Sequence, residues 1–165
     1  MDLWSIIIGL LGGFSIREII NSAIDYKYKI NKFKFETIYE KRVEVLSELY
    51  KKIDKTERLF QSLMAPFQEA LDLSQEEKAK NAAQSANDFL DYFNENKIYL
   101  NDNLERKINF INKELRDAWI IFKYANWEKN KDIKEWKKAW DKVKNDIPVI
   151  NEEIKKEFRK ILGIK

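Results

Sequence analysis

Cysteine and histidine are both absent from this chain of 165 residues. Without them the chain has no Cys-His or Ser-His nucleophile pair. Nor can it ligate zinc or an iron–sulfur cluster in the usual way from its own side chains. No disulfide framework is possible, and the missing cysteines leave the redox compartment undecided. Glycine and proline are scarce, at four and two residues. Gly9, Gly12, Gly13 and Gly163 form no phosphate-cradling loop of the dinucleotide or P-loop type. Few tight turns are available, which disfavours a β-sandwich or a Rossmann fold. A strong charge of one sign is missing too. Thirty-one basic and 28 acidic residues leave a net +3, well short of the basic excess that marks a dedicated polyanion binder.

What remains is a composition 44% hydrophobic and 36% charged, which suits amphipathic helices around a core. The fold expected is all-α. An N-terminal transmembrane or hydrophobic helix continues into a long helix, followed by a cytosolic antiparallel helical bundle. The expected division is an anchor and oligomerisation helix over residues 1–25 and a bundle over 26–165. The chain is expected not to be an enzyme, and no cofactor or metal is expected.

The N-terminus carries most of the functional information. Leu3 to Ile16 (LWSIIIGLLGGFSI) is free of charge. Fourteen helical residues rise about 21 Å, short of the roughly 30 Å hydrocarbon core. Apolar character resumes after Arg17 and Glu18 with Ile19, Ile20, Ala23 and Ile24, long enough to span if Arg17 snorkels or faces a partner helix. Trp4 at one end and Tyr26 and Tyr28 at the other are candidate interfacial aromatics. Lys27, Lys29, Lys32 and Lys34 follow, while only Asp2 precedes the apolar run. The positive-inside rule then places the N-terminus outside and the body in the cytoplasm, at a bacterial inner membrane. A signal peptide would show the reverse charge order. Arg17 and Glu18 mark either the membrane boundary or, at lipid depth in an oligomer, the lining of a pore.

Ser5, Gly9 and Gly13 form a small-xxx-small series, with Gly12 beside it, which lets two helix backbones approach closely. A homo-oligomer is therefore expected. Ser5, Gly9, Gly12, Ile16, Ile19, Ala23, Tyr26, Ile30 and Phe33 alternate by four and three, a heptad-like stripe. A second register reads Tyr39, Leu46, Ile53 and Phe60 with Leu49 and Leu63, interrupted by Arg42 and Thr56. No proline or glycine intervenes before Pro66, so a single helix of some fifty residues is predicted, with a register slip near Phe35 to Tyr39.

Beyond Pro66, Ser74 and Glu77 form a capping-box pattern. Ala79, Ala82, Ala83, Ala86, Phe89, Leu90 and Phe93 mark the next face. Asp102 with Glu105 is expected to cap a helix buried through Leu104, Ile108, Ile111, Leu115, Ala118 and Phe122. A further helix carries Ile133, Trp136, Trp140 and Val143 and is expected to stop before Pro148. The last carries Ile150, Ile154, Phe158 and Ile161, with Gly163 as its terminal cap.

Three constellations could carry chemistry. Glu36 with Glu40, and Glu44 with Glu48, are carboxylates one turn apart, but lysines and arginines surround them as on a solvated helix face. Glu135-Trp136-Lys137 and Glu153-Ile154-Lys155 match a nuclease tripeptide at the frequency chance allows, on no strand. Trp136 and Trp140 beside Lys137 and Lys144 could stack bases and neutralise phosphate, serving a nucleotide or nucleic acid. The same spacing arises when tryptophans fill a core under a coat of lysines, and a protein partner is the third reading.

From Tyr39 to Tyr124 the cadence YEKRVEVLSELYKKI, then DFLDYFNENKIYLNDNLERKINFINKEL, resembles a group of small bacterial helical proteins with one N-terminal membrane anchor. In layout these resemble membrane effectors of bacterial antiphage systems, which join an anchor to a cytosolic sensing or adaptor bundle. The resemblance implies a membrane-anchored interaction or effector protein in contact with lipid and a protein partner, with a role in bacterial defence. The alternative is a non-membrane adaptor whose N-terminal helix is buried in a hetero-complex associated with nucleic acid.

Overall fold

A computed structural model describes residues 3–66, 73–127 and 132–164; for residues 3–16, 126 and 127 it describes the backbone alone. Every regular element among them is helical: α1 (Leu3–Met64), α2 (Gln75–Asn96), α3 (Asp102–Trp127), α4 (Ile133–Asp141) and α5 (Ile147–Ile161). The chain divides into two contact units, Met1–Lys41 and Arg42–Lys165. The expected boundary at residue 25 followed membrane character; this one follows packing.

As its uninterrupted sequence predicts, α1 is one helix, and it ends at Met64. Ala65 precedes Pro66, and a residue before proline is pushed out of the helical region. Helix α2 starts at the predicted cap. The Glu77 N–H donates to Ser74 Oγ at 3.2 Å and the Ser74 N–H to Glu77 Oε2 at 3.0 Å. The Ser74 hydroxyl, followed by its backbone N–H, holds the Glu77 carboxyl below its ordinary pKa. For α3 the cap is Asn101, not Asp102: Asn101 Oδ1 accepts from the Leu104 N–H at 2.8 Å. Asp102 and Glu105 lie in the first helical turn, where a negative charge favours the helix dipole.

In the Arg42–Lys165 unit the helices pack up-down-up-down, with α4 and α5 together making the fourth. Antiparallel pairing of α1 with α2 is fixed by Thr56 against Ser85 and by Lys52 over the Tyr92 ring. Tyr50 against Phe158 and Glu57 against Asn151 do the same for α1 and α5. Lys107 with Glu153 ties α3 to α5, and Phe60 meets Trp119 across the core. Every residue of the predicted α3 face, from Leu104 to Phe122, is buried. So are Leu46, Leu49, Ile53, Phe60 and Leu63 of α1, and Ala82, Phe89 and Phe93 of α2. Tyr39, placed in the same register, is 41% exposed; it belongs to the other unit.

Two expectations for the fourth helix are corrected. Ile133 is 73% exposed, and the buried residues of α4 begin at Ala139. There the half-buried rings of Trp136 and Trp140 pack against the core edge. Nor does the helix stop before Pro148: a π-helical turn, Lys142–Asp146, carries the chain straight into α5. The Ile147 N–H donates to the Lys142 carbonyl, one residue further back than in an α-helix. That register pairs the Val143 carbonyl with Pro148, which has no N–H to give. Gln61 Nε2, from α1, donates to Val143 O at 3.4 Å instead. At the other end Gly163 is the predicted cap, with φ +68°. Its N–H donates to Lys160 O and that of Ile164 to Arg159 O, the paired closure of a Schellman motif.

Among the described residues no helix is long and apolar enough to cross a membrane. The apolar run proposed as the anchor is helical in its backbone from Leu3, but its side chains to Ile16 lie outside the described residues. The contacts expected of Trp4, Ser5, Gly9, Gly12 and Gly13 in anchoring the helix and packing it against other copies therefore lie outside them as well.

Candidate functional surfaces

In the Met1–Lys41 unit the described side chains, residues 17–41, are exposed except for the half-buried Ile30 and Lys41. Arg17 and Glu18 are exposed, as are Lys27, Lys29, Lys32 and Lys34. Ile19, Tyr26, Tyr28, Phe33 and Phe35 are 68–70% exposed, with Ile20, Ile24 and Ile38 somewhat less so. At about 100° per residue, Ile19, Tyr26, Ile30 and Phe33 share one face and Ile24, Tyr28 and Phe35 the opposite one. Lys27 and Lys34 fall between them on one side, Lys29 and Lys32 on the other. Tyr26 and Tyr28, predicted as one aromatic end of an anchor, thus stand on opposite faces. Lys32 meets Glu36 at 3.9 Å, an exposed one-turn pair of little energetic weight.

On the fourth helix the structure brings the predicted aromatic–lysine group together, but as a core edge. Trp136 and Trp140 are half-buried against the core, and Lys144 Nζ lies 5.7 Å from the Trp140 ring centroid. Lys137 is exposed beside Lys138, which pairs with Glu135. Lys142 pairs with Glu114 of α3. Part of the basic charge that would meet phosphate is thereby neutralised, and one ring face already carries a cation. Trp119 follows the same rule, set against Phe60 at 5.9 Å with Lys123 over its ring.

The carboxylate pairs do not converge. Glu48 pairs with Lys51 at 3.5 Å, Glu153 with Lys107 and Glu152 with Lys155. Lys107 and Lys155 hold the carboxyls of Glu153 and Glu152 below their ordinary pKa. No group of three or more carboxylates among the described residues is placed to hold a metal ion. Both Glu-x-Lys tripeptides lie on helices, with Glu135 paired to Lys138, Glu153 to Lys107 and Lys155 to Glu152.

One polar cluster was not anticipated. Asn151 is buried in α5, and its Nδ2 donates to Glu57 Oε2 at 2.6 Å. Gln61 Nε2 donates to Glu57 Oε1 at 3.1 Å. Burial pushes the Glu57 carboxyl above its ordinary pKa, and the charges of Asp54 and Glu152 add to that; the two amide donors work against it. Asn151 Oδ1 is buried with no hydrogen-bond partner among the described residues. Amide partners cannot relay protons as a catalytic dyad does, so the cluster reads as a polar clasp between α1 and α5. The sequence did hold a signal: Asn151 follows Ile147 by four and precedes Ile154 by three, which places it on the core face.

An open groove of about 500 Å³ also lies between α1 and α5, floored by Leu46 and Phe158 and flanked by Lys51, Lys155 and Arg159. Two of its three cations are already paired, with Glu48 and Glu152.

No family model matches the chain, and no curated protein or solved structure is significantly similar to it.

Proposed function

We propose that this chain is a membrane-anchored, non-enzymatic interaction protein. Its first helix holds it to a bacterial inner membrane and associates with other copies, and its four-helix body meets a protein partner on the cytoplasmic side. One observation carries the reading: the charge-free run Leu3–Ile16 opens the same uninterrupted helix whose far end, from Val45 to Met64, is built into the body's core. The segment proposed as the anchor and the helix that enters the body's core are thus one covalent helical element. The charge order supports the orientation, with Lys27, Lys29, Lys32 and Lys34 after the apolar run and only Asp2 before it. Close contact through Ser5, Gly9 and Gly13 supports self-association. An effector role in antiphage defence rests on the layout alone and is part of the proposal.

Fractionation of tagged full-length protein against a version lacking residues 1–25, with an alkaline carbonate wash, tests the anchor. Full-length protein should stay in the washed pellet and the truncated chain in the supernatant. Full-length protein that washes off would make the N-terminal run a protein-contact helix and favour an adaptor buried in a hetero-complex.

A further inference from the structure

The proposed anchor accounts for residues 1–25 but not for the ten that follow. Residues 26–35 (YKYKINKFKF) hold four lysines, no acid and four aromatic rings. All four lysines and all four rings are exposed. A helix lying flat on a bilayer segregates its apolar residues to one face and its charges to the other. Here they alternate around the axis instead: Tyr26 and Phe33, then Lys27 and Lys34, then Tyr28 and Phe35, then Lys29 and Lys32. Such a helix is matched to surroundings that are the same on every side and that accept both a ring and a cation.

The headgroup layer of a membrane has that character. Rings of Tyr and Trp settle there, and lysine stems lie along apolar surface while their ammonium groups reach phosphate. The dimensions agree. Ten residues rise about 15 Å, against a headgroup layer of roughly 5–8 Å on each side and a surface potential that persists for about 8 Å at physiological salt. A parallel coiled coil of two copies explains the segment less well. In the register that puts Ala23, Tyr26, Ile30 and Phe33 in the seam, Lys29 of one copy meets Lys34 of the other, a like-charge pair.

We propose that residues 26–35 form a collar that binds anionic lipid headgroups all round the helix, holding it upright where it leaves the bilayer. The collar rests on the membrane reading above and adds lipid selectivity to it. Each lysine near an anionic surface strengthens partition about fivefold, so four together supply roughly 600-fold at low salt.

Co-flotation of the full-length chain with phosphatidylcholine vesicles, and with vesicles carrying 30% phosphatidylglycerol (about that fraction makes a surface clearly anionic), tests it. At low salt the anionic vesicles should bind the wild type several hundredfold more tightly, roughly 600-fold if the four lysines act independently. High salt should erase most of that ratio. The variant Lys27→Gln/Lys29→Gln/Lys32→Gln/Lys34→Gln should lose the ratio while floating with phosphatidylcholine as the wild type does. Equal flotation of the wild type with both vesicles overturns the collar and leaves the anchor standing. Flotation with anionic vesicles alone supports the collar and overturns the anchor, and flotation with neither overturns both. A quadruple variant that keeps the full ratio also overturns the collar. The chain has no native cysteine, so Tyr26→Cys, a position in that seam, reports on the rival occupant. Efficient crosslinking between copies at that position, together with equal flotation, would assign the segment to a second copy of the chain.

Discussion

Thr56 sits at 0% exposure in the seam between α1 and α2, and removing its hydroxyl together with that of Ser85 should cost less than the two single removals added. Its Oγ1 lies 2.8 Å from Lys52 O, 3.1 Å from Ser85 O and 2.9 Å from Ser85 Oγ. A hydroxyl has one proton to give and can accept twice. The arrangement that satisfies both side chains has Ser85 donating to Thr56 and Thr56 donating to a carbonyl. Thr56→Val keeps the shape but removes acceptor and donor at once, leaving the Ser85 hydroxyl buried without its partner. The lost bond is worth about 1 kcal/mol and the stranded group up to about 2 more, for a total of 1–3 kcal/mol. The Ser85 hydroxyl can turn back to the carbonyl four residues earlier, which places the expected value near the lower half of that range. Ser85→Ala leaves Thr56 its carbonyl partners and should cost about 1 kcal/mol. The double variant strands nothing and should cost about 1 kcal/mol less than the sum of the singles. Urea unfolding followed by helical circular dichroism measures all four chains. With a slope of about 1–3 kcal/mol/M, a 1.5 kcal/mol change moves the midpoint by roughly half a molar or more. Costs that add within about 0.3 kcal/mol, or a Thr56→Val chain as stable as the wild type, would refute this account of the seam.

Two further outcomes follow from other parts of the molecule. Because Glu57 has its pKa raised in the fold, the folded chain binds that proton more tightly than the unfolded chain does, so this group's contribution to stability falls as pH rises from about 4.5 through its folded-state pKa. Glu77, Glu152 and Glu153, lowered in the fold, act in the opposite sense and lose stability as pH falls. The difference in unfolding free energy, wild type minus Glu57→Gln, isolates the first effect and should decline with rising pH; a flat or rising difference would count against the buried clasp. For the proposed effector role, expression should depolarise cells, and Gly9→Leu or Gly13→Leu should abolish this by holding the helices apart; depolarisation that survives in a membrane-potential dye assay would put the contact elsewhere.

Sequence periodicity read the regular parts of the fold well, because one helix face against one core is a local property. The six-residue face of α3, the Ser74 cap, the Gly163 cap and the end of α1 before Pro66 all follow from spacing and residue chemistry within a few positions. What escaped depended on partners far along the chain. Pro148 is a helix stop in any local reading, since an α-helix there would lose a hydrogen bond and crowd a carbonyl. The π turn avoids the crowding, and Gln61, 82 residues away from Val143, supplies a donor in place of the missing one. Thr56 read as a break in a heptad, yet it is the position where α1 recognises α2, because Ser85 meets it across the seam. The Glu57–Asn151 clasp was hidden for the same reason: each half alone is an ordinary polar residue.

The exposed apolar side chains are distributed unevenly between the two units. Nine large ones are exposed to solvent between Ile19 and Tyr39, against eight over the described residues from Arg42 onward. A scatter of single apolar residues on a folded body is ordinary, and the body's eight are spread from Leu73 to Ile164. Nine within 21 residues of one helix are not ordinary, because short helical segments draw most of their stability from packing an apolar face. This concentration supports the proposed contact of residues 17–41 with a membrane and other copies, whereas the Arg42–Lys165 unit has buried its own core. An interaction search that truncates the chain to the bundle would discard the part with the denser exposed apolar side chains. Lipid composition and copy number belong among its first variables, ahead of a ligand for the bundle.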